Sequence, residues 1–168
     1  SSAASDVYKR QVQENLLLYQ HFGAQLCYAR NTIGAALSTI RHFLTKSGLY
    51  YLPPGGSSPL GSMGFVAAAL ELKRQIDAGQ LPEPAYIFVA LGSKGTMAGL
   101  LVGSRLAGLN SKIIGVRVAY TWLANESSTA KLANEIVSLL KAYDKTVPAI
   151  QFKKEDVSAV HDYCGKGY

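Results

Sequence analysis

Residues 86–103, YIFVALGSKGTMAGLLVG, constrain the fold of this chain more than any other stretch. Tyr86 to Leu91 is a continuous apolar run of strand length, and such a run fits a strand buried on both faces of a parallel sheet. Gly92-Ser93-Lys94-Gly95-Thr96 breaks it. Met97 to Leu106 reads as a helix rich in Ala, Leu and Gly, and Lys112 to Val118 as a second strand. Together they predict a β-α-β unit. Its turn sets backbone N–H groups, two hydroxyls and the positive end of a helix dipole at one place, which suits a phosphate group. The same turn also reads as a plain strand-to-helix connection capped by Thr96, with nothing bound. Two familiar glycine patterns do not match. The dinucleotide pattern G-x-G-x-x-G is absent, because Gly92 is followed by Gly95 and Gly99. The Walker pattern G-x-x-x-x-G-K-[ST] fails because Lys94 precedes the second glycine.

A second stretch, residues 50–65 (YYLPPGGSSPLGSMGF), repeats the plan of strand, Gly/Ser/Pro loop and helix. PPGGSSPLGSMGF and ALGSKGTMAGLLVG together resemble the 1-aminocyclopropane-1-carboxylate deaminase and D-cysteine desulfhydrase family, pyridoxal 5′-phosphate enzymes of the tryptophan-synthase-β-like class. The resemblance runs from about Asn15 to Tyr168 and includes the ending HDYCGKGY, similar to the family's aspartate-then-GxGYG segment. It implies an α/β fold: a three-layer, mostly parallel sheet with flanking helices, part of a fold-type-II enzyme. Residues 12–48 would close the small domain, and 49–168 would form part of the large cofactor domain.

The resemblance assigns the cofactor phosphate to Gly92, Ser93, Lys94, Gly95 and Thr96. It places Gly55, Gly56, Ser57, Ser58, Leu60 and Gly61 at the substrate pocket; the plain alternative is a connector that only shapes a turn. Lys94 stands where a small residue is common, and its ammonium is read as pointing to solvent. The family's N-K-x-R-K segment, which carries the catalytic lysine, does not occur in this sequence. In the family, the partner of the pyridine nitrogen and a substrate-facing tyrosine follow the region matched here. No lysine of this chain therefore takes the catalytic role, and the chain reads as cut at both ends and inactive alone. The parent activity implied is D-cysteine desulfhydrase, then the deaminase, on a small amino acid, in a cytoplasmic homodimer. A non-catalytic α/β module holding a phosphorylated ligand or a protein partner is the alternative. A nucleotide-dependent oxidoreductase is disfavoured by the missing glycine pattern.

The remaining features set bounds. The 168 residues suffice for one ordinary domain with a core. The formal charge of +6 comes from scattered Lys and Arg, which argues against a nucleic-acid surface. No apolar run has the length of a membrane span. Cys27 and Cys164 lack metal spacing and read as reduced thiols; His21, His42 and His161 form no metal motif. Residues 1–11, SSAASDVYKRQ, resemble the translated end of a sequencing adapter or a natural polar tail, and either predicts poor order. Helices are expected over 12–22, 33–46, 65–78 and from Asn125 or Ser127 to Tyr143. The third would bury Phe65, Ala68, Ala69, Leu72 and Ile76. Short strands are expected at 24–29, 50–52, 149–152 and 157–160.

Overall fold

The computed structural model describes residues 2–164, without the side chains of residues 2–8, Thr32 and Pro54. Residues 165–168, part of the expected GxGYG-like ending, lie outside the described residues. The chain divides into two compact units, one ending at Tyr50 and the other beginning at Tyr51.

The first unit holds two helices, α1 (Ser2–His21) and α2 (Thr32–Thr45). The backbone is thus helical through the segment expected to be poorly ordered. No Gly or Pro interrupts residues 2–21, so a helix nucleated over the apolar 12–22 stretch extends backwards at little cost. Asn31 caps α2, its side-chain oxygen accepting from the Gly34 N–H at 2.8 Å. Ile33, Leu37, Ile40 and Leu44 form an apolar stripe that is exposed, since two helices are too few to enclose a core. Residues 24–29 form no strand; their alternation finds no ladder partner within this unit.

The second unit is α/β: a parallel sheet flanked by helices. Its elements are α3 (Met63–Asp77), β1 (Tyr86–Leu91), α4 (Gly95–Ala107), β2 (Lys112–Arg117), α5 (Glu126–Tyr143) and β3 (Ser158–Val160). The strand order is β1-β2-β3, with Tyr86 opposite Lys112, Leu91 opposite Arg117, and Ile114 opposite Ser158. All three strands run in one direction, so their carboxyl ends share one edge.

Helix α4 is the centre of this unit and packs on α3, α5, β1 and β2. The core joins Leu91, Met97, Ala98, Val102, Ile113, Ile136 and Phe152. Gly99 and Gly103 let α3 come unusually close: a Cβ on Gly99 would lie 2.6 Å from the Ser62 carbonyl oxygen, and one on Gly103 2.6 Å from that of Val66. This approach turns the Ser62–Val66–Ala69 edge of α3 inward. Val66 and Ala69 are buried, while Phe65 and Ala68, expected inside, are exposed. Gly115 of β2 similarly makes room for the Met97 side chain.

Three expectations fail for related reasons. β1 is an edge strand covered on one face only: Ile87 and Val89 pack on the core, whereas Phe88 is 67% exposed. Residues 50–52 and 149–152 are not strands. At the latter, Asn134 of α5 takes the place of a ladder neighbour. Its amide nitrogen donates to the Phe152 carbonyl and its oxygen accepts from the Phe152 N–H, both at 2.8 Å. Asn125, rather than Ser127, caps α5 by accepting from the Ser128 N–H at 2.9 Å.

The helix contact makes two neighbouring glycines respond oppositely. Gly99→Ala should destabilise the chain by about 1–3 kcal/mol through overpacking. Gly64→Ala, in exposed α3 with nothing within 4 Å, should stabilise by about 0.5–1 kcal/mol. Urea unfolding of the two variants checks both signs.

Candidate functional site

The two glycine loops meet at the carboxyl ends of the strands. Pro54–Gly56 forms a 3₁₀ turn in which Gly55 takes φ +69°, a conformation open to glycine. A side chain at Gly55 would also overlap Ser93, with its Cβ 2.6 Å from that of Ser93. Ser57 then reaches across: its Oγ accepts the N–H of Gly95 at 3.1 Å. A Cβ on Gly95 would fall 2.8 Å from that same oxygen. Ser58 and Gly61 stiffen the first loop from within. The Ser58 Oγ accepts the Gly61 N–H at 3.0 Å, and the Ser58 carbonyl accepts the buried Ser62 hydroxyl at 2.9 Å. Gly56 bonds to the Pro53 carbonyl at 2.8 Å. Leu60 stands apart, 65% exposed.

The second loop departs from expectation at its cap. Thr96 does not precede the helix; it is the second residue of α4, and Lys94 holds the N-cap position without a side-chain cap bond. The oxygen that a cap residue normally supplies arrives instead from Ser57, across the gap between loops. Lys94 adopts φ +76° and is the only non-glycine with positive φ among the described residues. That left-handed geometry costs a residue with a Cβ roughly 1 kcal/mol. Burial lowers the Lys94 pKa, and the Glu135 carboxylate of α5 partly offsets this.

The resulting surface suits an anion on general grounds. The first-turn amides of Thr96 and Met97 have no intrahelical acceptor, the α4 dipole is positive here, and the bare Gly95 lets Ser57 and Ser62 pack against the turn. The Ser57 oxygen accepts from Gly95, so its own proton remains available to donate. The arrangement therefore has the donor set that a phosphate ester needs.

A family model described as pyridoxal-phosphate dependent enzyme matches residues 6–168. The chain belongs to the pyridoxal-phosphate dependent enzyme family. It is 32% identical over 158 residues to the D-cysteine desulfhydrases of Salmonella paratyphi B, Salmonella newport and Salmonella heidelberg. In each case the match takes in 92% of this chain and 45% of the relative. The chain thus spans about half the length of the curated relatives it matches. A crystal structure of an ACC deaminase homologue shares the fold, with a TM-score of 0.59 and 24% identity over 86% of this chain and 43% of that one. Pyridoxal phosphate is the cofactor of the family. No helix among the described residues is long and apolar enough to cross a membrane.

A group that the sequence reading passed over lies at the same edge of the sheet. Arg117, the last residue of β2, and His161, just past β3, are joined by hydrogen bonds, and His161 also meets Glu126, the first residue of α5. The bond from His161 holds the Glu126 carboxyl below its ordinary value of 4.5; a bond to its own backbone N–H adds to this, and burial opposes it. No local pattern announces this cluster, because its members are 35 and 44 residues apart.

Two outcomes follow from these geometries. Lys94→Gly should raise stability by about 0.5–1 kcal/mol by relieving the left-handed backbone, read as a higher urea midpoint. Glu126, with its folded pKa depressed, contributes stability above its ordinary value of 4.5 that is lost as pH falls through the lower folded value. Glu126→Gln should therefore flatten the acid limb of a stability-against-pH curve, and an unchanged limb would show that the carboxylate contributes nothing.

Proposed function

We propose that this chain supplies the cofactor-phosphate site of a pyridoxal-phosphate-dependent lyase or deaminase acting on a small amino acid. D-Cysteine is the first substrate, converted to pyruvate, sulfide and ammonia, and 1-aminocyclopropane-1-carboxylate is the second. The observation that carries the site is the junction of the two glycine loops, with Ser57 Oγ 3.1 Å from the Gly95 nitrogen at the carboxyl ends of a parallel sheet. Open α/β sheets bind ligands along this edge. The similarity to D-cysteine desulfhydrases supports the order of substrates.

Pyridoxal phosphate, when bound, supplies an electron sink for carbon acids. The residues of this chain bind and orient it. Ser93, Thr96 and the amides of the 92–96 turn hold the phosphate, and Gly95 makes room for the Ser57 hydroxyl beside it. Ser57 both fixes the turn and donates its hydroxyl proton. Lys94 belongs to this turn through its backbone. The 55–61 loop forms the adjoining wall, where Gly55, Gly56, Ser58, Leu60 and Gly61 face the substrate side. The catalytic lysine is assigned to no lysine of this chain. The parent enzyme is proposed as a homodimer in the cytoplasm, on the family resemblance alone.

Titration of the chain with pyridoxal 5′-phosphate and with pyridoxal tests the phosphate site. Only the phosphorylated compound should shift the amide resonances of residues 93–97, and Gly95→Ala should weaken that response about tenfold. Equal responses to the two compounds would overturn the assignment. The purified 168-residue chain should release neither sulfide nor ammonia from D-cysteine, and measurable turnover would place the catalytic lysine within it.

A further inference from the structure

The Arg117–His161–Glu126 cluster fixes a proton by geometry. Arg117 Nε donates to His161 Nδ1 at 2.9 Å, and a guanidinium nitrogen has no acceptor capacity. Nδ1 is therefore unprotonated and the ring proton sits on Nε2, which donates to Glu126 Oε1 at 2.8 Å. Arg117 Nη2 donates to the His161 carbonyl at 2.9 Å, and Nη1 to the Ala119 carbonyl at 2.8 Å. That Ala119 carbonyl also accepts the Cys164 thiol at 3.6 Å. The turn at residues 162–164 is thus fastened to the end of β2. The exit of β2 is in turn tied to the exit of β1, where the Val118 N–H donates to the Leu91 carbonyl at 3.1 Å beside the 92–96 loop.

We propose that His161 is a positioning residue whose protonation releases the 162–164 turn from the ligand-binding edge of the sheet. In the neutral ring, Nδ1 accepts from Arg117 and the turn is clamped. A proton on Nδ1 sets one N–H against another and a second positive charge beside the guanidinium, so the Arg117 bond is lost. The amino-terminal dipole of α5 adds to that repulsion. The imidazolium keeps its Nε2 bond to the Glu126 carboxylate and follows it away from Arg117. Asp162 is the other charged residue of the turn. The device uses only residues of this chain and stands whether or not the cofactor assignment holds.

Cys164 reports the state of the turn. In a Cys27→Ser background it is the only thiol, and its labelling by dithiodipyridine is followed between about pH 8 and pH 5, the range in which imidazoles titrate. The comparison is His161→Asn, which sets an amide oxygen near the place of Nδ1 and keeps an acceptor for Arg117 at every pH. The ratio of the two rates cancels the pH dependence of the thiol itself. It should be near one at the alkaline end and rise on the order of tenfold at the acid end, the equivalent of one lost hydrogen bond to a charged group. A flat ratio overturns the proposal. If His161→Asn does not fold, the ring ¹⁵N shifts of His161 in the unsubstituted chain decide: a protonated Nδ1 at about pH 7.5 overturns it, and an unprotonated Nδ1 that titrates together with the Asp162 and Cys164 amides supports it.

Discussion

The close approach of α3 to α4 is the constraint on which the second unit depends. Gly99 and Gly103 remove side chains where the two backbones come together, and Gly95 continues the same face at the amino end of α4. Backbone contact of this kind fixes the axial register of the helices, because a shift of one residue would drive a Cβ into a carbonyl. Register in turn delivers the loop before α3 to the loop before α4. The packing that stabilises the core is thus the same packing that brings the two glycine loops together.

That edge is built from backbone more than from side chains. Four consecutive features converge there: the exits of β1 and β2, the open first turn of α4, and the Gly55–Ser58 loop lying on Ser93 and Gly95. The energetic logic is that of an imported cap. α4 begins without a capping side chain of its own, and Lys94 is held in a strained backbone conformation. Ser57 satisfies the Gly95 amide and compensates part of that cost. A ligand phosphate would satisfy the rest, so the strain is tolerable where an anion is held and wasteful elsewhere.

Charge at this edge is arranged by pairing. The helix amides and dipole present positive potential at the start of α4, while burial lowers the Lys94 pKa and the Glu135 carboxylate partly offsets this. Arg117 is committed to two carbonyls and the His161 ring, which makes it a fastener of strand exits. The formal +6 of the chain therefore says little about the field at the site.

The sequence alone specifies the β-α-β unit, the limits of β1 at Tyr86–Leu91, a start of α5 capped by Asn125 or Ser127, and the two glycine loops that carry the family resemblance. These are local matters: apolar period, turn chemistry and a side chain reaching three residues along its own backbone. It misjudged the 24–29, 50–52 and 149–152 segments because a strand exists only with a neighbour, and local alternation cannot show whether one is there. It misplaced the buried face of α3 because that face was chosen by the glycines of α4. Only the tertiary structure decided that Ser57 caps a helix 38 residues away, that Lys94 lies in a left-handed backbone, that Asn134 stands in for a strand, and that Arg117 meets His161. Each is a contact between distant positions, and its energy depends on a distance that no local pattern encodes.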